Sequence, residues 1–258
     1  MVPPAENVIW QYWETSGYKP RYIDGLHQLV LKNAGVPVVM VTPENIRTYL
    51  PDIEPEIFNI DDVAHRADMI RTRLVMTYGG MWLDSDAVVL ADLNGLFGAL
   101  CEHEFIGFNN DAKLQSSRPY VRVNCFLSRP NGTVISEWVR LQKAKLNETA
   151  FSWSEVGARL LNAVCVQHQE LVRILPFERI CPVPWRQIGD FTAKDDARAE
   201  QILRDCPIVM LTNRALQVSR SPLLRLTVEE IAAGDYLLAR ILREATGTTP
   251  NADRAIQW

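Results

Sequence analysis

The sequence lacks the segments that mark a membrane-spanning or secreted protein. No run reaches the roughly 20 apolar residues of a transmembrane helix, and the first ten residues carry neither a basic nor an apolar region. We therefore expect no transmembrane segment and a cytoplasmic protein that is at most peripheral to a membrane. An excess of basic residues is lacking too. The 27 Lys and Arg residues face 31 Asp and Glu residues, and a net charge of -4 disfavours a nucleic-acid partner.

Cysteine is scarce and its spacing forms no known pattern. The five cysteines include no CxxC pair, and their odd number favours reduced thiols over a disulfide framework. The same spacing gives no pair of zinc ligands. The four histidines are isolated and are assigned no role, although His65 lies about one helical turn before an aspartate of interest, Asp68.

The composition is that of a globular protein with a sizeable core. Of the 258 residues, 47% are hydrophobic and 22% are charged. Short apolar runs alternate with stretches of helical periodicity, which predicts an α/β fold. The helical stretches include 153–166 and a C-terminal helix at about 226–246 that is followed by a frayed tail. Because no stretch has the composition of a linker, residues 1–258 are predicted to form a single domain.

The segment from Asp61 to Leu90 contains an Asp-x-Asp motif, Asp84-Ser85-Asp86. A helix capped by Asp61 or Asp62 is predicted to run to Tyr78 and to end at Gly79-Gly80. A short buried strand follows and leads directly into the motif. Two carboxylates at the end of a strand can hold a hard divalent cation, which can in turn bind a diphosphate. A solvated turn is the alternative interpretation of the motif taken alone.

Two charged residues on the preceding helix add to this pattern. Asp68 and Arg71 are three positions apart and so share one helical face. A carboxylate can accept hydrogen bonds from sugar hydroxyls, and a guanidinium can donate to hydroxyls or phosphates. An ordinary intrahelical ion pair is the alternative.

The stretch AHRADMIRTRLVMTYGGMWLDSDAVVL resembles the donor-binding signature of the DXD-motif sugar transferases. That family includes the capsular polysaccharide synthesis proteins, the initiating mannosyltransferases and the glucosyltransferase domains of large clostridial toxins. The opening VIWQYWE and the later VNCFLSRPNGTVISEWV are similar to other segments of the family. The positions that match its central pattern are Ala67, Asp68, Arg71, Leu74, Tyr78, Gly79, Gly80, Trp82, Leu83, Asp84 and Asp86.

The resemblance implies a GT-A fold, a Rossmann-like mixed sheet flanked by helices, and a set of site residues. It assigns Asp86 to the metal and Asp84 to the sugar or ribose, with a water-mediated contact of Asp84 to the metal. Asp68 and Arg71 would bind the donor sugar, and Arg71 would also assist the leaving diphosphate. The resemblance also places Trp13 against the base, with core packing as the alternative, and Trp10, Gln11 and Ser85 beside the donor. Many relatives supply a late metal ligand, often His, after the last core strand. This chain departs from that pattern, and Asn213 is the candidate for the third metal ligand.

The activity implied by the resemblance is metal-dependent glycosyl transfer in capsule or other surface polysaccharide synthesis. Mn²⁺ or Mg²⁺ would be the cofactor, a UDP- or GDP-sugar the donor, and a hydroxyl of a glycan or lipid-linked glycan the acceptor. The matching families transfer the sugar with retention of configuration. Three alternatives are a non-catalytic relative that binds nucleotide-sugar, a toxin-like protein glycosyltransferase, and a phosphatase with an aspartate nucleophile.

Overall fold

The computed structural model describes residues 7–109, 121–148 and 150–247. Strands and helices alternate along this part of the chain. The strands are β1 (Ile9–Tyr12), β2 (Val38–Val41), β3 (Gly80–Leu83), β4 (Ala87–Val89), β5 (Phe105–Asn109), β6 (Cys125–Ser128), β7 (Val172–Pro176) and β8 (Ile208–Met210). The α-helices are α1 (Ile23–Asn33), α2 (Ile46–Tyr49), α3 (Val63–Tyr78), α4 (Asn94–Gly98), α5 (Thr133–Lys143), α6 (Leu160–Gln167), α7 (Asp196–Asp205), α8 (Asn213–Val218), α9 (Val228–Ala232) and α10 (Leu237–Thr246).

The chain forms two compact units. The first unit contains Met1–Thr15, Pro37–Leu83 and Leu96–Pro176. The second contains Ser16–Val36, Asp84–Gly95 and Phe177–Trp258. The boundary between Leu83 and Asp84 therefore falls at the start of the Asp-x-Asp motif. The prediction of a single domain stays a prediction.

The first unit is built on a six-stranded sheet with the order β2-β1-β3-β6-β5-β7. Strand β1 pairs in parallel with β2 and β3, and β5 pairs in parallel with β7. Strand β6 is antiparallel to both of its neighbours. The sheet is thus mixed, and helices α3, α5 and α6 pack with it. The predicted α/β class with a mixed sheet flanked by helices is confirmed.

Helix α3 has clear start and stop signals. The Asp62 carboxylate accepts a hydrogen bond from the Ala64 amide at 2.7 Å, which caps the first turn. Gly79 ends the helix at φ 70°, and Gly80 follows at φ 92°. A side chain at Gly79 would collide with Pro130, and one at Gly80 would collide with Val8. Both positions therefore require glycine, for backbone conformation and for close packing.

The second unit is built around an antiparallel pair of strands, β4 and β8. Hydrogen bonds from Leu90 to Pro207 and from Leu211 to Asp86 extend the ladder at its two ends. Helices α1 and α10 pack against β4, and α10 also packs against α7 and α9. This unit holds the two aspartates of the motif.

The structure corrects the helical prediction near the C-terminus. The expected helix at 226–246 is two helices, α9 and α10, because the chain turns between them at Gly234. The Arg243 guanidinium binds the carbonyls of Ala232 and Gly234 and holds this turn. The tail beyond Gly247 lies outside the described residues. No helix among the described residues is long and apolar enough to cross a membrane.

Candidate active site

The Asp-x-Asp motif lies between two strands whose residues are all buried. Strand β3 ends at Leu83, Asp84 follows it, Ser85 and Asp86 form a turn, and β4 begins at Ala87. Asp84 is partly exposed, whereas Ser85 and Asp86 are 4% and 8% exposed. Carboxylates in such surroundings are costly unless hydrogen bonds or opposite charges offset the loss of water. The fold therefore buries most of the motif, which is not a solvated surface turn.

Asp86 is anchored to the residues that follow β8. Its backbone carbonyl accepts a hydrogen bond from the Leu211 amide at 3.0 Å. Its Oδ2 accepts another from the Asn213 amide at 2.5 Å, at the first residue of α8. Asn213, the predicted metal ligand, therefore contacts Asp86, although it does so through its main-chain N–H and not through its side chain.

The side chain of Asn213 has a different partner. Its Oδ1 accepts a hydrogen bond from the Tyr22 hydroxyl at 2.9 Å. Tyr22 is fully buried at the start of α1. Burial, and next the negative charge of Asp86, raise the pKa of the Tyr22 phenol far above its usual value. The hydroxyl therefore remains a proton donor across the physiological pH range.

Asp68 and Arg71 form a buried ion pair on α3 in the first unit. Arg71 Nη1 lies 3.3 Å from Asp68 Oδ1, and the two residues are 5% and 7% exposed. The same nitrogen donates to the Val123 carbonyl at 2.5 Å, and Nε donates to Ala67 at 3.3 Å. The guanidinium carbon lies 4.9 Å from the ring centroid of Trp82 on β3.

Such a pair is not explained by stability alone. Removing two charges from water costs about as much as their attraction returns, so a buried ion pair adds little net stability. Asp68 and Arg71 share one helical face as predicted, and they form the intrahelical ion pair that was the alternative interpretation. Their contact with a donor sugar stays a prediction.

Asp68 is held by α5 and by the segment that follows it. Gln142 Nε2 donates both to the Asp68 carbonyl at 3.0 Å and to the Val156 carbonyl at 2.9 Å. Residues Glu155–Arg159 form a π-helical turn, whereas a regular helix was expected from Trp153. At Gly157 in this turn, an added Cβ would lie 2.9 Å from the Asp68 carboxyl carbon. The carboxylate therefore occupies the space that a side chain at 157 would need.

The two tryptophans in and next to β1, Trp10 and Trp13, differ in their surroundings. Trp10 is 1% exposed, donates its indole N–H to the Gly79 carbonyl at 3.0 Å and packs against Tyr49 and Tyr78. In the structure it is a core residue, contrary to the donor contact predicted for it. Gln11 is also fully buried. Trp13 follows the strand and is partly exposed, so it keeps a surface for a ligand.

The oxygen atoms near the motif suit a hard divalent cation. No group of three or more His, Cys, Asp or Glu side chains that could hold a metal occurs in the described parts of the chain. Magnesium sites beside nucleotides do not need such a group, because one or two carboxylates and the phosphates of the ligand complete the coordination. Asp84 and Asp86 are two such carboxylates, and binding of a metal by them and by the Oδ1 of Asn213 stays a prediction.

Several contacts of the site were not found from the sequence. No motif surrounds Tyr22, and its hydrogen-bond partner Asn213 lies 191 positions away. Gln142 and Gly157 reach Asp68 through the fold, and no local pattern marks them. Trp82 was noted as part of the motif, but its contact with the Arg71 guanidinium could not be read from spacing. Long-range contacts of this kind have no signal in a single sequence.

A sequence model for a family described as capsular polysaccharide synthesis protein matches residues 3–147, which is more than half of the chain. The chain belongs to the capsular polysaccharide synthesis protein family. The predicted family is confirmed, and so is the predicted class of enzyme, a glycosyltransferase. The matched region contains Asp68, Arg71, Asp84 and Asp86, whereas Asn213 lies outside it.

Comparison of this capsular polysaccharide synthesis protein with solved structures gives distant similarities. They include the PaToxG glycosyltransferase, with 11% identity, 93% of this chain and 86% of that chain covered, and a TM-score of 0.47. They also include the glycosyltransferase GlyE of Streptococcus pneumoniae TIGR4, with 16% identity, coverage of 80% and 54%, and a TM-score of 0.45. A third is a glycosyltransferase involved in the glycosylation of the major capsid of PBCV-1, with 10% identity, coverage of 83% and 99%, and a TM-score of 0.37. No curated protein matches the chain in sequence.

Proposed function

We propose that this capsular polysaccharide synthesis protein is a metal-dependent glycosyltransferase that uses a nucleotide-diphosphate sugar. Its acceptor is a hydroxyl group of a glycan or of a lipid-linked glycan. The observation that carries the proposal is the Asp84-Ser85-Asp86 turn, in which Asp86 is 8% exposed and held by the amide at the start of α8. A carboxylate fixed in this way is preorganised to bind a cation.

The proposed metal ligands are the carboxylates of Asp86 and Asp84 and the side-chain oxygen of Asn213. Asp86 binds the cation directly, and Asp84 contacts the sugar or ribose and reaches the metal through water. Mn²⁺ or Mg²⁺ bound there would neutralise the charge that develops on the leaving diphosphate. The Asn213 amide keeps Asp86 Oδ2 in place, so the carboxylate does not have to reorient when the cation binds.

Asp68 and Arg71 are proposed to hold the donor sugar. Asp68 accepts hydrogen bonds from sugar hydroxyls, and Arg71 donates to hydroxyls and to the diphosphate. The support for these roles is their burial together with the contacts of Arg71 to Val123 and Trp82, which fix the guanidinium. Groups fixed before the donor binds lose little entropy on binding, which favours catalysis by positioning.

Trp13 is the aromatic residue proposed to lie against the nucleotide base, with Gln11 and Ser85 near the donor. The support for Trp13 is its partial exposure immediately after β1. Nucleotides bind to open α/β sheets beyond the carboxyl ends of the strands, and Trp13 follows such an end. Trp10 is left out of the proposed contacts because its indole N–H donates to the Gly79 carbonyl and its ring packs against Tyr49 and Tyr78.

The test is a panel of UDP- and GDP-sugars, incubated with the protein with and without Mn²⁺, in which release of nucleoside diphosphate is measured. We expect one donor to be hydrolysed in a strictly metal-dependent reaction, and faster turnover when a glycan acceptor is added. Binding of a nucleoside diphosphate without any turnover would identify a non-catalytic relative. Transfer to proteins only would favour the toxin-like alternative, and hydrolysis in the presence of EDTA would contradict metal dependence.

The proposed stereochemical outcome is retention at the anomeric carbon. It is supported by the resemblance of the donor-binding segment to retaining enzymes. The anomeric configuration of the first-formed product, read by proton NMR before mutarotation, tests it. An inverted product would contradict this part of the proposal and leave the donor assignment standing.

A further inference from the structure

Asn213 connects two buried groups of the second unit. Its main-chain N–H donates to Asp86 Oδ2, and its side-chain Oδ1 accepts from the Tyr22 hydroxyl. An amide oxygen has two acceptor positions, so one remains for a second partner when the tyrosine occupies the other. The tyrosine therefore determines where the oxygen of Asn213 points.

The backbone at this place is in an uncommon conformation. Thr212, which precedes α8, has φ 52° in the left-handed region, where β-branched residues are rarely found. Such a conformation persists when the surrounding contacts enforce it. Three hydrogen bonds on either side of Thr212 are contacts of that kind. Leu211 and Asn213 donate to Asp86, and Tyr22 donates to Asn213.

We propose that Tyr22 is a positioning residue for the metal site, acting through Asn213 on the oxygens that Asn213 and Asp86 present to the cation. This inference rests on the proposed metal-dependent function. Tyr22 itself does not touch the metal or the donor in this account. Its hydroxyl orients the Asn213 side chain, and the first residue of α8 in turn orients the Asp86 carboxylate. Groups that orient metal ligands typically change metal affinity by 10–100-fold when they are removed.

A purely structural role for the Tyr22 hydroxyl makes a different prediction. Buried tyrosine hydroxyls usually find an acceptor, and loss of such a bond lowers stability without any effect on ligands. Metal affinity is therefore the quantity that separates the two roles. It can be measured on the protein without turnover, by titration with Mn²⁺ alone and with Mn²⁺ in the presence of UDP or GDP.

The experiment compares the wild type with Tyr22→Phe, which removes only the hydroxyl group. We expect Mn²⁺ affinity to fall about tenfold in Tyr22→Phe. The control is Tyr78→Phe, which removes a hydroxyl that donates to the Tyr49 carbonyl at 2.6 Å in the first unit. This control is expected to bind Mn²⁺ with wild-type affinity.

A double-mutant cycle tests whether Tyr22 acts through Asn213. Asn213→Ala keeps the main-chain N–H that binds Asp86 but removes the acceptor of the tyrosine. In this background, Tyr22→Phe should cause no further loss of affinity. If Tyr22→Phe does not fold, Asn213→Ala alone must weaken Mn²⁺ binding about tenfold.

The failure of this inference can be told apart from the failure of the proposed function. Equal Mn²⁺ affinity of wild type and Tyr22→Phe, or additive losses in the cycle, would overturn the role of Tyr22 and leave the metal site intact. An absence of Mn²⁺ binding by the wild type, alone and with either nucleotide, would overturn both.

Discussion

Substitution of Gly157 by alanine is predicted to displace the Asp68 carboxylate, the proposed sugar-binding group, and to leave the proposed metal ligands in place. An ideal Cβ at position 157 would lie 2.9 Å from the carboxyl carbon of Asp68, and its nearer oxygen would be closer still. Carbon atoms pack at about 3.5–4.0 Å, so the carboxylate has to move by roughly 1 Å. The backbone of Asp68 cannot easily follow, because Gln142 binds its carbonyl.

The expected loss follows from this displacement. A catalytic or binding group that is misplaced by about 1 Å can lower activity about 100-fold. We therefore predict that kcat/KM of Gly157→Ala for the donor falls about 100-fold. The crowding itself should cost about 1–3 kcal/mol of unfolding free energy. Affinity for the nucleoside diphosphate should be unchanged, because that part of the donor does not contact Asp68 in this account.

The assay is donor hydrolysis at saturating Mn²⁺, paired with calorimetric titration of the nucleotide-sugar and of the nucleoside diphosphate. The matched control is Gly98→Ala. Gly98 also belongs to the first unit, and an added Cβ there meets no atom within 4 Å. Wild-type kcat/KM in a folded Gly157→Ala variant would refute the assigned role of Asp68, as would an equal loss in the Gly98→Ala control.

Two further predictions concern the pH dependence of stability and the aromatic residues of β1. Hydrogen bonding by the Lys145 ammonium, followed by bonds from the preceding turn, lowers the pKa of Glu155 to about 2. The ionised Glu155 therefore stabilises the fold above pH 4.5, the ordinary pKa of a glutamate, and this stabilisation is lost as the pH falls toward 2. The thermal midpoints of wild type and Glu155→Gln should converge over this range and stay apart at neutral pH. A difference that does not change with pH would contradict the lowered pKa. Trp10→Phe loses the hydrogen bond to Gly79 and should lower the unfolding free energy by about 1–2 kcal/mol with unchanged nucleotide affinity. Trp13→Ala should instead weaken nucleotide binding in a titration, and the reverse pattern would exchange the two roles.

The part of the site that could be predicted from the sequence depends on local signals. Asp62 caps α3, Gly79 ends it, and the next residues form a strand that leads into Asp84, all within a short stretch of chain. The spacing of Asp68 and Arg71 also predicts that they share a helical face, and the ion pair observed there is the alternative that this spacing allows. These elements were predicted because each depends on its immediate neighbours.

The remaining features depend on contacts between distant parts of the chain. Strand β4 pairs with β8, more than 100 positions later, and this pairing brings Asn213 to Asp86. The burial of Trp10 depends on Tyr49 and Tyr78, and the sequence around Trp10 looks the same for a core residue and for a ligand-binding residue. A turn at Gly234 divides the predicted C-terminal helix in two, and the apolar periodicity of the sequence does not indicate this turn.

The proposed function depends above all on a divalent cation held by Asp86. The decisive measurement is Mn²⁺-dependent turnover of the accepted nucleotide-sugar by Asp86→Ala and by the control Asp205→Ala, which removes an exposed carboxylate at the end of α7 in the same unit. We predict that Asp86→Ala binds Mn²⁺ at least tenfold more weakly and loses metal-dependent turnover, since the direct ligand is gone. Asp205→Ala should keep metal binding and activity. Full metal-dependent turnover by a folded Asp86→Ala variant would contradict the account.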